Sequence, residues 1–517
     1  MASKSAYHQH VDRISERKPS LAALCQFLSN ANTVKGPCRI VRLDFLEGKE
    51  KPVAAELDYG GLCSTLLKDD IGKLADCDND QGSTSSEKWE QIQGRILLVE
   101  DLDKRTIELL GQHLDIDPMF FASHLHLPWR DIQDREPEEC TLPSQVKRQS
   151  FTNIHYHRPV LFDSMPPTGE LSRHMNVDRK VVVTPISKDR YVGLVRHCAS
   201  VLLRRRKTHW LGLVLVDRPT NDEYLYSAER GGPSKSISLP SRLLLGGYED
   251  FLDSPPVGQE GAQGGRSLNR LGLLNDLRFY WCFQVPESFN PANPSLHALA
   301  YYPLRIVAAE WMKYAGIMYR AVKQFEYSTS VKDIRDELEK LNSDMRALQR
   351  WRRGSMSSEH KIEAIIRMLK AERPGVPPSS DSASLIEDFE YILATVQKLG
   401  RHLESMLPVV TSLVQIIDSR RSFDETANVS RLTIMALIFV PLAYISSLFS
   451  MSEQLGPGGP YFWVYFVVAI PLTVAVVLVA KLPLGMLERA TCCVRWRRGS
   501  AQGTNVIDHK GLMKTEV

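Results

Sequence analysis

Leu432–Phe449, LTIMALIFVPLAYISSLF, and Tyr461–Ala480, YFWVYFVVAIPLTVAVVLVA, decide the fold class of this chain. Each is about 20 residues of nearly unbroken apolar character, enough to cross the roughly 30 Å hydrocarbon core of a bilayer. Between Leu432 and Ala480 the one charged residue is Glu453. A buried hairpin in a soluble core is the competing reading; it loses because core helices of this length carry a charged or strongly polar stripe. Pro441 and Pro471 are compatible with spans, since neighbouring helices re-satisfy the carbonyls that a proline frees.

The flanks orient the pair. Arg420, Arg421 and Arg431 precede the first span and Lys481, Arg489, Arg495, Arg497 and Arg498 follow the second, whereas the connection Ser450–Pro460 has no Lys or Arg. Positive residues stay inside, so both termini are expected in the cytoplasm and the loop outside, with Tyr461, Phe462, Trp463 and Tyr465 as an interfacial belt. The reading is an integral, multi-pass membrane protein, placed in the plasma membrane ahead of an internal one. Two helices cannot enclose an aqueous path, so the hairpin either anchors or assembles with copies of itself.

The remainder of the 517 residues is ordinary globular sequence, 43% hydrophobic and 24% charged. A net charge of +3 gives no overall pull toward nucleic acid, and no nucleic-acid partner is expected. Residues 1–37 lack the apolar run of a secretory signal and read as a mobile segment. Nine cysteines without regular spacing read as reduced thiols rather than a disulfide framework. Residues 38–293 read as an α/β domain. Its strands are expected at 95–100, 180–185, 191–203 and 210–216, and its helices at 106–114 and 119–125 around the Asp117-Pro118 turn. A Gly/Ser/Pro-rich flexible insertion is expected at 231–270.

Residues 294–383 read as helices, at 304–325, 331–351 and 358–372, followed by a Pro/Ser-rich loop over 373–384. Residues 384–431 form a stalk helix. In it Ile386, Phe389, Leu393, Val396, Leu399, Leu403, Met406, Val410, Leu413 and Ile417 recur at steps of 3 and 4, near the 3.5 repeat of a coiled coil. A partner along this seam and packing on its own domain are both open from the pattern. Pro408 predicts a kink or break. The first span covers 432–450, the loop 451–460, the second span 461–480, and a basic tail 481–517, in which Cys492 and Cys493 are candidates for lipidation.

These residues carry a family likeness. RLTIMALIFVPLAYISSLFSMSE resembles the pore helix of CorA-like magnesium transporters, with the match close from Leu432 through Leu442. TIELLGQHLDIDPMFFASHL, with Asp117-Pro118 and His124-Leu125, is similar to a second segment of that family, in particular its fungal-type branch. The resemblance implies a homopentamer in a lipid bilayer that passes divalent cations, Mg²⁺ first, as cargo rather than cofactor. By the same resemblance the pore-facing residues are Thr426, Val429, Leu432, Val440, Ala443 and Ser452.

One departure stands out. Where the family has Gly-Met-Asn, this chain has Ser450-Met451-Ser452. A ring of amide oxygens can hold hydrated Mg²⁺ through its water shell, and a serine hydroxyl is a shorter, weaker acceptor. Glu453 is the compensating candidate at an external mouth formed with Ser450, Met451 and Ser452. No resident cofactor is expected. No Walker A, HExxH or G-x-S-x-G pattern is present, so an enzyme is not expected. His124-x-His126 and His155-x-His157 lack a third spaced ligand and read as core or surface histidines. The alternative to a transporter is a non-conducting, membrane-anchored sensor or interaction protein of the same descent.

Overall fold

The computed structural model describes residues 4–30, 36–71, 92–125, 142, 149–187, 190–206, 209–229, 232–252, 270, 272–328, 337–371, 380–451 and 459–481. The chain divides into two compact units, Met1–Val410 and Thr411–Val517.

The first unit is organised by a sheet of eleven strands among the described residues. They are β1 (Arg39–Leu46), β2 (Val53–Leu57), β3 (Ile92–Glu100), β4 (Phe151–Phe162), β5 (Glu170–Arg173), β6 (Lys180–Ser187), β7 (Arg190–Arg205), β8 (Trp210–Val216), β9 (Glu223–Ser227), β10 (Lys235–Ser238) and β11 (Ser241–Leu243). The order is β10-β9-β5-β6-β7-β8-β3-β1-β2, with β4 on the remaining edge of β7 and β11 beside β4. The β3–β8 pair is parallel, and the other pairings among the described residues are antiparallel. The four expected strands are the contiguous middle of the sheet, β6-β7-β8-β3.

Strands this apolar are covered on both faces. Alternate residues of β3 and β8 divide cleanly: Ile96, Leu98, Val214 and Val216 enter one core, Leu97, Val99, Leu213 and Leu215 the other. The second core is capped by α1 (Ala6–Ser15), α2 (Ala22–Ser29), α3 (Tyr59–Ile71), α4 (Lys104–Leu114) and α5 (Pro118–Leu125). Asp103 caps α4, its side chain accepting from Thr106 N at 2.8 Å, and the helix ends at Asp115 in the left-handed region, φ 48°.

The N-terminal segment expected to be mobile is instead part of this core. Tyr7, Val11, Leu21, Leu24 and Leu28 are buried, and the Tyr7 hydroxyl donates to Ile116 O at 3.1 Å. Spacings of 3 and 4 supply an apolar face without the contiguous apolar run a signal needs. The 231–270 insertion is likewise partly built in. β10 and β11 fall inside it, and Leu239, Leu243 and Tyr248 are buried, while 253–269 lie outside the described residues.

The first core is covered by α6 (Leu273–Phe283), α7 (Leu296–Ser328), α8 (Glu337–Lys370) and the start of α9 (Ser380–Phe449). α8 is one helix where two were expected. Gly354 does not end it, because Leu348 and Trp351 on one side and Ile362 on the other hold both halves to the core. α9 begins at Ser380, inside the expected loop, and continues without a break past Pro408.

Ion pairs fix the helix directions. Arg305–Asp388 at 2.7 Å and Glu326–His402 at 2.8 Å show α7 and α9 running parallel. Lys370–Glu390 at 2.6 Å and Arg352–Glu404 at 3.0 Å show α8 antiparallel to α9. Such exposed pairs are worth roughly 0.2–1 kcal/mol each, so they set register more than they set stability. The apolar seam supplies the packing: Phe389, Val396, Leu399, Leu403 and Val410 are buried in the first core. The seam is therefore occupied by the chain's own helices up to Val410, not held free for a partner.

Two features of the sheet are directly testable. Gly94 sits opposite Trp210 in the β3–β8 register, and a Cβ on it would lie 1.9 Å from the indole. Gly94→Ala is expected to lower stability by about 1–3 kcal/mol through overpacking, read as an earlier thermal or denaturant midpoint; an unchanged midpoint would contradict this packing. At the end of β3, burial pushes the Glu100 carboxyl up to about 7 despite Arg39 at 3.2 Å. Its protonated form suits the fold, so its stabilisation is complete below its ordinary 4.5 and is lost as pH rises to about 7. The stability of Glu100→Gln minus that of the native chain should rise between these values and level off above; a difference independent of pH would contradict the assignment.

Candidate functional site

The second unit contains the remainder of α9 and α10 (Trp463–Lys481). α9 reaches Phe449 as an unbroken helix, and its last turn tightens: Ser450 N donates to Ser446 O at 3.0 Å and Met451 N to Leu448 O at 3.3 Å. The helix holds a window of mean hydropathy 2.2, of which 6% is buried. It is long and apolar enough to cross a membrane. α10 is also apolar, from Trp463 to Leu478.

The two helices touch along one side. Ile445 on α9 and Ala469 on α10 are buried, at 3% and 1% exposure, and the Phe449 and Tyr465 rings meet edge to face at 5.9 Å. Half-buried Ile438, Pro441, Leu442 and Phe449 belong to the same side of α9. At about 100° per residue these positions and Ile445 share one arc of the helix.

The opposite arc is bare. Thr426, Val429, Leu432, Val440 and Ala443, together with Ser450 and Met451, project within about 120° of one another. All are exposed, Val429 at 65%, Leu432 at 73% and Val440 at 66%. Ser452 and Glu453, the other two expected mouth residues, lie outside the described residues, as do Cys492 and Cys493.

The helix geometry adds positions that the motif comparison missed. Ser422, Thr426, Val429, Thr433, Ala436, Val440, Ala443, Ser447 and Ser450 alternate by 4 and 3, and every one is exposed. Leu432 and Thr433 flank the midline of this arc. The signal was present in the sequence as a run of small and hydroxylated residues at heptad spacing, hidden from a search for apolar periodicity. The Thr426 and Thr433 hydroxyls donate to Ser422 O and Val429 O at 2.7 and 2.8 Å. Each donor is thereby satisfied within the helix while the oxygen keeps lone pairs to accept with.

In the first unit His124 and His155, from the two histidine pairs, are buried, and His157 is half-buried. His124 is fully buried, its Nδ1 2.8 Å from Ser200 Oγ, and His126 lies outside the described residues. His157 stacks on Tyr314 at 5.4 Å. His124 and His197 face Asp217 at 3.8 and 3.6 Å. Burial alone would raise the Asp217 carboxyl, but Arg179 and these imidazoles outweigh it and hold it at about 2. Among the described residues no group of three or more His, Cys, Asp or Glu is placed to hold a metal ion.

Residues 312–482, from within α7 to the residue after α10, match the family model of CorA-like Mg²⁺ transporter proteins. No curated protein matches the chain. Among solved structures the chain is similar to the complete CorA magnesium transporter from Methanocaldococcus jannaschii at 12% identity, over 86% of this chain and 98% of that one, with a TM-score of 0.37. It is also similar to the full-length CmaX protein at 12% identity, over 87% and 99%, with a TM-score of 0.31. The likeness to CorA-like Mg²⁺ transporter proteins thus rests on residues 312–482, a third of the chain, which include α9 and α10.

Proposed function

We propose that the chain is a multi-pass membrane protein that passes Mg²⁺ or a related divalent cation passively through a pore built from several copies of itself. The observation that carries this reading is the bare arc of α9. An apolar helix that covers one side with α10 and lines the other with Ser, Thr, Ala and Val has one face suited to water, which no described residue of its own chain encloses. Copies around an axis would bring these arcs together. The family resemblance favours five of them.

The chemistry fits a hydrated ion. Mg²⁺ gives up its water reluctantly, so a path for it needs acceptors for the hydrogens of bound water rather than direct ligands. Rings of Ser422, Thr426, Thr433, Ser447 and Ser450 would supply hydroxyl oxygens at intervals, separated by Val429, Ala436, Val440 and Ala443. Such a sequence binds weakly at many points, which suits conduction. At the outer end Ser450, Met451 and Ser452 stand where the family has Gly-Met-Asn, and Glu453 would concentrate cations at the mouth. α10, at 19 residues, is about 28 Å long and would form the second span. The basic flanks support a topology with both termini in the cytoplasm. Cys492 and Cys493, just beyond that span, are sites for an acyl chain.

One observation favours a second reading. Without the asparagine of Gly-Met-Asn, the protein would remain an assembled, membrane-anchored sensor that does not conduct.

Purified protein in liposomes separates the two. Uptake of Mg²⁺, Zn²⁺, Co²⁺ or Ni²⁺ driven by an inside-negative potential, and reduced by Glu453→Gln, is the expected result. Absence of flux in the native chain, with flux gained on joint Ser450→Gly and Ser452→Asn, would replace transport with the anchored reading. Native mass spectrometry of the same preparation should give five copies.

A further inference from the structure

A charged cluster is buried where β4 meets α6 and α7. Arg158 of β4 is 1% exposed, and Asp276 of α6 and Glu310 of α7 are fully buried. The guanidinium stands between the two carboxylates, with Nε 3.3 Å from Glu310 and Nη2 3.7 Å from Asp276, and Nη2 donates to Arg270 O at 2.5 Å. Glu310 has a second cation, Lys313 Nζ at 2.6 Å. No second ion pair reaches Asp276 among the described residues. Its contact with Arg158 is longer than a hydrogen bond, and neither of its oxygens meets a donor in hydrogen-bond geometry among the described residues.

The two carboxylates are therefore unequal, since both close cations favour Glu310. A buried carboxylate is stable as an anion only where it is paired and hydrogen-bonded, and Asp276 instead sits among Leu273, Leu274 and Leu277 of its own helix. The charged and titratable groups around it are Arg158 from β4, Glu310 with Lys313 from α7, Tyr248 and Arg270 from the segment before α6, and Tyr280 on α6 itself. Burial pushes the Asp276 carboxyl up to about 7, with Glu310 adding to the push, against the opposite pulls of Arg158, Tyr248 and Arg270. Asp276 also lies in the first turn of α6, its N–H donating to Gly272 O at 3.2 Å, so a cost at its carboxyl falls on the start of the helix.

We propose that Asp276 is a proton-operated latch on α6: with its proton it lets the helix close on Arg158 and α7, and without it the closure loosens, so that acidification tightens α6 onto the sheet and alkalinisation releases it. The neutral form suits the fold. Its stabilisation is complete below the ordinary 3.8 of a carboxyl, is lost as pH rises to about 7, and is absent above. The latch lies within the first unit and does not depend on the transport reading.

Hydrogen exchange of the full-length protein in detergent, followed by mass spectrometry over residues 272–283 and corrected for the intrinsic pH dependence of amide exchange, reads the opening of α6. In the native chain the opening constant should rise by up to about tenfold per pH unit below about pH 7 and level off above, the slope of one proton. Glu100 borders the same helix start, since Arg39 bridges it to Asn275 at 3.2 and 3.4 Å, so Glu100→Gln is the control and should keep the rise. Adding Asp276→Asn to it should abolish the rise. Asp276→Asn alone supplies a neutral side chain of the same shape and should open less than the native helix at about pH 8, the opposite of what removing an ordinary ion pair would do. Exchange independent of pH in the native chain, loss of the rise on Glu100→Gln alone, or its persistence in the double variant would overturn the proposal. So would an Asp276→Asn chain that opens more than the native one at that pH or fails to fold, because the neutral form is the one the fold is held to prefer.

Discussion

A long apolar helix with one covered side is the constraint on which the rest of this structure depends. α9 spends its first turns inside a core and its last turns against α10, and between the two contacts it leaves an arc of exposed residues from Ser422 to Ser450. In water such an arc, with the exposed apolar surface of Ile434, Met435, Phe439 and Leu448 around it, would be a liability. In a bilayer the large apolar residues face lipid and the small, hydroxylated ones are the odd set. Among the described residues of the second unit nothing else covers them, which is why copies of the chain are invoked.

The first unit is built to hold the root of that helix. Its sheet is apolar on both faces and sandwiched between two helical layers, so the strands cannot slide without exposing a whole row of side chains. α7, α8 and α9 share one core, and the ion pairs at Arg305, Lys370, Arg352 and His402 fix their register. A push on α8 or α7 is therefore felt by α9.

Much of this was legible in the sequence, and what was not has physical reasons. β6, β7, β8 and β3 could be read because strands covered on both faces are runs of Val, Leu and Ile. β4 could not, since FTNIHYHRPVLF carries Thr152, Asn153, His155 and His157 beside Arg158, and the fold buries Arg158 by pairing it with Glu310 at 3.3 Å. The first two helices were missed because Tyr7 and Val11, Leu21 and Leu24 make a face without making a run. The seam Ile386–Val410 was read with the right period, but periodicity cannot say whether a stripe meets its own chain or another. Thr426, Val429, Leu432, Val440 and Ala443 lie on one arc of α9, whereas Thr433, Ala436 and Ser447 on the same arc are small or hydroxylated and add nothing to an apolar repeat. Ser452 and Glu453 are outside the described residues, and so the mouth rests on sequence alone.

The central claim is that the arc from Ser422 to Ser450 faces water inside an assembly of copies. Single cysteines at Ala436, Val440, Ala443 and Ser447, and at Ile445 on the α10 side, tested in membranes with a charged, membrane-impermeant thiol reagent, measure this directly. Rapid labelling at the four arc positions, with Ile445→Cys protected, is the expected result. Protection at all five, or labelling without regard to the arc, would contradict a water-filled path along this face.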